Sequence, residues 1–81
     1  YVTRDRAATH GDAEDNFEAI AGGWQWWLSI RSGQYLGAYD VACMMVIFKL
    51  ARMASNPTHI DSAIDAAAYA ALAGEIATGA A

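Results

Sequence analysis

Only five lysines and arginines stand against nine acids in these 81 residues, with one proline and one cysteine. Each scarcity excludes something. The formal charge of −4 argues against a nucleic-acid backbone as the main partner, and leaves room for metal ions or basic protein surfaces. A lone Cys43 rules out an intrachain disulfide. It lies in the most apolar run and reads as a buried core thiol in a reducing cytosol. No Gly-rich phosphate loop, Cys-x-x-Cys pair, or serine or cysteine triad is present, so nucleophilic catalysis has no machinery here. The longest apolar run, Val41 to Phe48, is far too short to cross a bilayer, and no signal-peptide pattern is visible. No membrane partner is expected.

What the chain does have is apolar surface. Hydrophobic residues make up 56% of it, more than one small globule can readily hide, which predicts self-association. The length allows a single domain over residues 1–81, and a start at Tyr1 rather than Met predicts that residues precede it.

The patterning predicts an all-α fold, a compact small bundle of about three helices after a polar N-terminal segment. That segment, Tyr1 to Gly11, has no strong period. Asp12 then reads as an N-cap, with Glu14 and Asp15 in the first turn of a helix from about Ala13 to Ser29. Phe17, Ile20, Ala21, Trp24, Trp27 and Leu28 form its apolar face. Gly22-Gly23 inside it implies close packing by another helix, or a kink. Arg31 to Gln34 reads as a turn. The second helix is predicted from about Ala38 to Ser55, with Asp40 in its first turn and Lys49 and Arg52 near its end, as the helix dipole favours. Its Val41–Phe48 run is apolar all round. A strand competes for that stretch, but the flanking helix formers favour a central helix covered on more than one side. Asn56-Pro57 ends it. Thr58 is expected to cap a third helix running to about Ala77, with Ile60, Ile64, Ala67, Ala71 and Ile76 as a thin apolar face, and with a fraying end.

Four constellations carry candidate chemistry. Asp61, Asp65 and Tyr69 recur at intervals of four and share one stripe of the third helix. Carboxylates one turn apart can share a hard cation such as magnesium, which takes phosphate oxygens as further ligands. An ordinary helix-start role competes for Asp61. Asp65 lies deeper and needs a partner, expected to be Lys49 or the His10–Asn16 segment. His10, Asp12 and Asn16 form a polar cluster at a predicted helix start, where a capped, solvated turn is the plainer reading. Lys49 and Arg52 offer cations, to water and helix carbonyls or to an aspartate or ligand phosphate. Trp24, Trp26 and Trp27 cannot share one face. Trp24 and Trp27 suit the core stripe, and Trp24 and Trp26 are candidate interface anchors.

Together these segments resemble a known family. Thr3-Arg4-Asp5-Arg6, His10-Gly11-Asp12, Asn16-Phe17, Asp40-Val41-Ala42 with Met44-Met45, Lys49, Ala51-Arg52, Asn56-Pro57 with His59, Asp61-Ser62, Asp65 and Tyr69-Ala70 look like a small domain of unknown function common in tailed bacteriophages and prophages. In that family a Thr-Pro pair opens the second helix. Gly37-Ala38 replaces it here, which predicts a looser start. More distantly, the pattern is similar to a phage domain associated with nucleotide modification and to the all-helical MazG-type NTP pyrophosphohydrolases, whose paired acidic signatures this chain lacks in full.

The resemblance implies a viral accessory protein in the cytoplasm of a host bacterium. The first functional reading is the binding, or the hydrolysis, of a nucleotide with magnesium held by the aspartates. Its candidate ligand contacts are His10, Asp12, Asn16, Lys49, Arg52, Asp65 and Tyr69, and its candidate metal ligands are Asp12, Asp61 and Asp65. The second reading is a host-defence antagonist, such as an anti-CRISPR, that covers a protein surface without chemistry. The third is a structural subunit of a phage assembly. Convergence of the polar residues on a cleft favours the nucleotide, and scatter favours the binder.

Overall fold

A computed structural model describes the backbone from Val2 to Ala80 and the side chains from Ala13 to Ala80. Three helices follow one another: α1 from Val2 to Ile30, α2 from Ala38 to Ser55 and α3 from Ile60 to Thr78. The expected all-α class holds, and no strand occurs among the described residues. The polar N-terminal segment differs from expectation. Its backbone is already helical, so α1 starts about ten residues early and Asp12 lies inside it rather than at a cap. Its residues lack an apolar period but also lack a helix breaker other than Gly11.

Helix α2 is central. Both α1 and α3 pack on it, and among the described residues they do not pack on each other. From Ala42 to Lys49 every α2 residue is buried or half-buried, while Val41 is exposed. That follows from a helix with no polar side lying between two neighbours but covered on two flanks only. The thinnest dimension of the chain is 17 Å. Between α1 and α3 the layer leaves an apolar groove of about 500 Å³ floored by α2. Cys43 lines that groove and is half-buried, not the core thiol that the sequence suggests.

The interface between α1 and α2 turns on one close approach. The α1 backbone runs unbroken through Gly22-Gly23, and a Cβ at Gly23 would collide with the Ile47 side chain on α2. A Cβ at Gly22 meets nothing. Ile47 is branched at Cβ and has little rotamer freedom on a helix, so it cannot step aside cheaply. Gly22→Ala is therefore expected to stabilise the fold by about 0.5–1 kcal/mol. Gly23→Ala, with the same propensity gain, should destabilise it by about 1–2 kcal/mol through overpacking. Urea unfolding of the two variants checks the pair, since propensity alone would move both the same way. Nearby, the Trp24 indole Nε1–H donates to the Met44 carbonyl of α2 at 2.8 Å. Trp24 is thereby engaged within the bundle, and of the two candidate anchors only Trp26, 59% exposed, is free.

Helix α3 turns a largely different face inward from the one its apolar stripe suggests; of that stripe Ile76 is half-buried and the rest is exposed. Ser62, Ala66 and Ala73 are buried, while Ile60 and Ile64 are 67% and 57% exposed and Ala67 and Ala71 are exposed. Small residues let two helix backbones approach closely. The α3 start also shifts. His59, not Thr58, is the N-cap residue, and the Thr58 hydroxyl donates to the Asn56 side-chain oxygen at 3.3 Å. Gly79, at a φ of 72°, ends α3 in the left-handed conformation, and Ala80 N–H returns to the Glu75 carbonyl at 2.9 Å. This caps α3 at the end expected to fray, of which Ala81 lies outside the described residues.

Candidate functional site

Asn56-Pro57-Thr58-His59 is a tight turn, since the His59 N–H donates to the Asn56 carbonyl at 3.1 Å. It brings the C-terminus of α2 beside the N-terminus of α3. Asn16 on α1 reaches the same place. The result is a polar pocket of about 290 Å³ lined by Asn16, Arg52, Ser55, Asn56, His59 and Ser62. Ser62, only 2% exposed, forms the inner wall, with its hydroxyl 3.2 Å from His59 Nδ1. A cleft of about 570 Å³ adjoins it, sharing Asn16 and Ser55 and lined further by Asp15, Ala19, Ala51 and Ala54. Of the first backbone N–H groups of α3, that of Ser62 donates to the His59 carbonyl at 3.1 Å, and those of Ile60 and Asp61, with no helical carbonyl a turn earlier, leave a partial positive charge at this end of the pocket. Asp61, exposed in the first turn, offsets part of it.

The candidate residues divide. Asn16 and Arg52 meet in the pocket. Lys49 and Asp65 form an ion pair, with 3.1 Å between Nζ and Oδ2. Both cations lie near Phe48, Lys49 Nζ at 5.3 Å and the Arg52 guanidinium at 6.0 Å from the ring centre. Tyr69 is half-buried one turn beyond Asp65 and does not line the pocket. The side chains of His10 and Asp12 lie outside the described residues. Among the described residues, no three His, Cys, Asp or Glu side chains gather as metal ligands. Asp65 is engaged by Lys49, and Asp61 stands apart on the surface.

Two groups escaped the sequence reading. Asn56 reads in the sequence as a helix stop, and His59 and Ser62 only as part of the family pattern; the fold makes all three walls of a pocket. The second group is the most buried polar cluster among the described residues. The Asp40 carboxylate, 2% exposed, accepts from Arg31 Nε at 2.8 Å, Arg31 Nη2 at 3.3 Å, Trp27 Nε1 at 3.0 Å and the Gly37 N–H at 3.2 Å. The Arg31 guanidinium holds this carboxyl down to about 2; the Gly37 and Trp27 donors add to that, and burial opposes it. Arg31 itself is raised, chiefly by its bond to Asp40. The guanidinium also lies 6.0 Å from the Trp27 ring centre and 5.4 Å from that of Tyr39. The Gly37 contact is half of a capping box, so the α2 start is held firmly and is not the looser one that Gly37-Ala38 implied. The signal available in the sequence was the Gly-x-x-Asp spacing at a helix start. All of Asp40's bonds are internal, which makes the cluster a clamp between α1 and α2.

Comparison with known proteins identifies the group. Residues 1–77 match the family model described as a domain of unknown function, DUF6378, and the chain belongs to that family. It is 38% identical over 69 residues to the Gene 55 protein of Mycobacterium phage L5. That alignment covers 85% of this chain and 42% of the phage protein, so the chain spans less than half the length of that relative. No solved structure matches the chain. The matches establish the phage-associated small domain. They do not show the more distant likeness to pyrophosphohydrolases and nucleotide-modification domains. No helix among the described residues is long and apolar enough to cross a membrane.

Proposed function

We propose that this phage-associated domain binds a small phosphate-bearing ligand of the nucleotide class in the polar pocket between the three helices. Lys49, Asp61 and Asp65 do not converge on this pocket, which by itself favours the binder; the nucleotide reading rests on one other observation. Asn16 of α1 meets the stretch from Arg52 to Ser62, which supplies Arg52, Asn56, His59 and Ser62, and each of these belongs to a segment by which the chain resembles its family; in the fold they line one pocket. Arg52 and the first N–H groups of α3 suit a phosphate. The adjoining cleft has a floor of methyl groups from Ala19, Ala51 and Ala54, suited to a flat base, with Asp15 and Asn16 at its edge for polar contacts. Lys49 and Asp65 contribute stability rather than ligand contacts. Magnesium enters as the counter-ion of the ligand's phosphates, not as a resident ion, because Asp65 is already paired.

Calorimetric titration with nucleoside mono-, di- and triphosphates, with and without magnesium, tests this. Arg52 is exposed, so Arg52→Ala should leave the fold intact while weakening binding about 10–100-fold, the worth of a charge-assisted hydrogen bond. Asp65→Asn serves as the control. It should lower stability by no more than about 1 kcal/mol, as for a partly exposed ion pair, and leave affinity unchanged. Absence of heat from the parent protein with every nucleotide would end this reading and favour the defence antagonist.

A further inference from the structure

We propose that Ser62 fixes His59 as a neutral hydrogen-bond donor to a phosphate oxygen of the ligand. This role rests on phosphate binding in the polar pocket. Ser62 is 2% exposed, and among the described residues its hydroxyl has one hydrogen-bond partner, His59 Nδ1 at 3.2 Å. A hydroxyl carries one proton and must place it. If Nδ1–H donated to Ser62, the Ser62 proton would be buried with no acceptor, which is costly. The Ser62 O–H therefore donates to Nδ1. A neutral imidazole keeps one proton, and that proton is then on Nε2. Among the described residues no group bonds to Nε2, and the ring lines the pocket.

The neighbouring groups are set the same way. The Thr58 hydroxyl donates to Asn56 Oδ1 at 3.3 Å, which leaves the Asn56 NH₂ for a ligand. Arg52 offers only donors, as do the Ile60 and Asp61 N–H groups at the start of α3. Ser55 is the exception. Its hydroxyl donates to the α2 carbonyls of Ala51 and Arg52 at 3.3 and 3.2 Å, so it presents lone pairs at the boundary with the adjoining cleft. That suits a sugar hydroxyl. A pocket lined mainly by donors selects a ligand rich in acceptors and poor in protons, as a deprotonated phosphate is. The opposite tautomer of His59 would turn a lone pair toward the phosphate oxygens and repel them.

NMR of the nitrogen-labelled free protein, at a pH where imidazole is neutral, tests the tautomer without any ligand. The His59 signals are those that the His59→Ala/Ser62→Ala double variant lacks. Nε2 should be protonated and Nδ1 bare, and Ser62→Ala should spread the proton over both nitrogens. Adding inorganic phosphate, and then the nucleoside phosphate that calorimetry finds tightest, should move the Nε2 resonance more than that of Nδ1. His59→Ala should weaken that nucleotide about 3–10-fold, the worth of one neutral hydrogen bond. Ser62→Ala should weaken it about 2–5-fold. The double variant should bind no worse than His59→Ala, because Ser62 acts through the ring. It strands no buried hydroxyl, so it remains comparable with Ser62→Ala even where His59→Ala unfolds. A proton on Nδ1 in the free protein, an Nε2 resonance unmoved by a phosphate that binds, or losses that multiply in the double variant would each overturn this role and leave phosphate binding standing. Failure of every phosphate compound to bind, with Nε2 protonated, would end the proposed function and this donor role with it.

Discussion

Asp40→Asn is expected to lower the melting temperature by roughly 10–20 °C, the effect of breaking a buried, hydrogen-bonded ion pair in a domain of this size. The carboxylate accepts four hydrogen bonds from three partners with almost no contact with water. An asparagine retains one acceptor oxygen and turns an NH₂ group toward donors, so Arg31 loses an acceptor in either orientation, together with Trp27 or the Gly37 N–H. Asp40→Ala removes every acceptor and should be at least as damaging. Because the folded carboxyl sits at about 2, below its ordinary 3.8, the stability it confers is fully present above pH 4. It is lost as the pH falls from about 4 toward 2. Thermal unfolding followed by circular dichroism between pH 2 and pH 7 checks both points. The parent should weaken steeply over that acid window, and Asp40→Asn should show a shallower acid decline from a lower plateau. Equal melting temperatures for parent and variant at pH 7 would remove Asp40 from its role in holding α1 to α2.

Those features of the fold that depend on local chemistry were legible in the sequence. The boundaries of α2 follow from an acidic first turn, basic residues near its end and the Asn56-Pro57 stop, and they fall at Ala38 and Ser55 as predicted. The glycine pair in α1 signalled a close approach, and Gly23 against Ile47 supplies it. Asp65 lacked a role at the helix start, and it meets Lys49. What stayed hidden depends on how the helices rotate about their axes. Phe17 and Leu28 belong to the apolar stripe of α1 but are exposed, because the curve of contact with α2 takes only Ile20, Trp24 and Trp27. Asp40 looked like a dipole residue because nothing local shows that Arg31, nine residues earlier across a turn, folds back onto it. The pocket was half visible. Asn16 and Arg52 stand out in the sequence as candidate ligand contacts, whereas His59 and Ser62 enter only through the family pattern, because nothing local shows that the turn sets them against Asn16.

The rotation of α3 yields the other large effect. At 3.6 residues per turn, positions two apart lie on nearly opposite sides of a helix. The stripe of Ile60, Ile64, Ala67 and Ala71 and the stripe of Ser62, Ala66, Tyr69 and Ala73 are such opposites. Hydrophobicity alone turns the isoleucines inward, but the fold buries the small residues. The Lys49–Asp65 pair fits this rotation, since Asp65 flanks the buried stripe. Two alanines that differ little in sequence therefore carry opposite expectations. Ala66→Leu forces three extra carbons into the seam between α3 and α2, where neither backbone can retreat without breaking the Ser62 and Ala73 contacts. Overpacking of this kind costs about 3 kcal/mol at its upper range, a fall of roughly 10–20 °C in melting temperature. Ala67→Leu adds the same atoms to an exposed position and should change stability by no more than about 0.5 kcal/mol. Guanidinium or thermal unfolding of the two variants side by side decides the rotation. If Ala67→Leu were the damaging change and Ala66→Leu the neutral one, α3 would be turned the other way, with its isoleucines inside and Ser62 drawn out of the polar pocket.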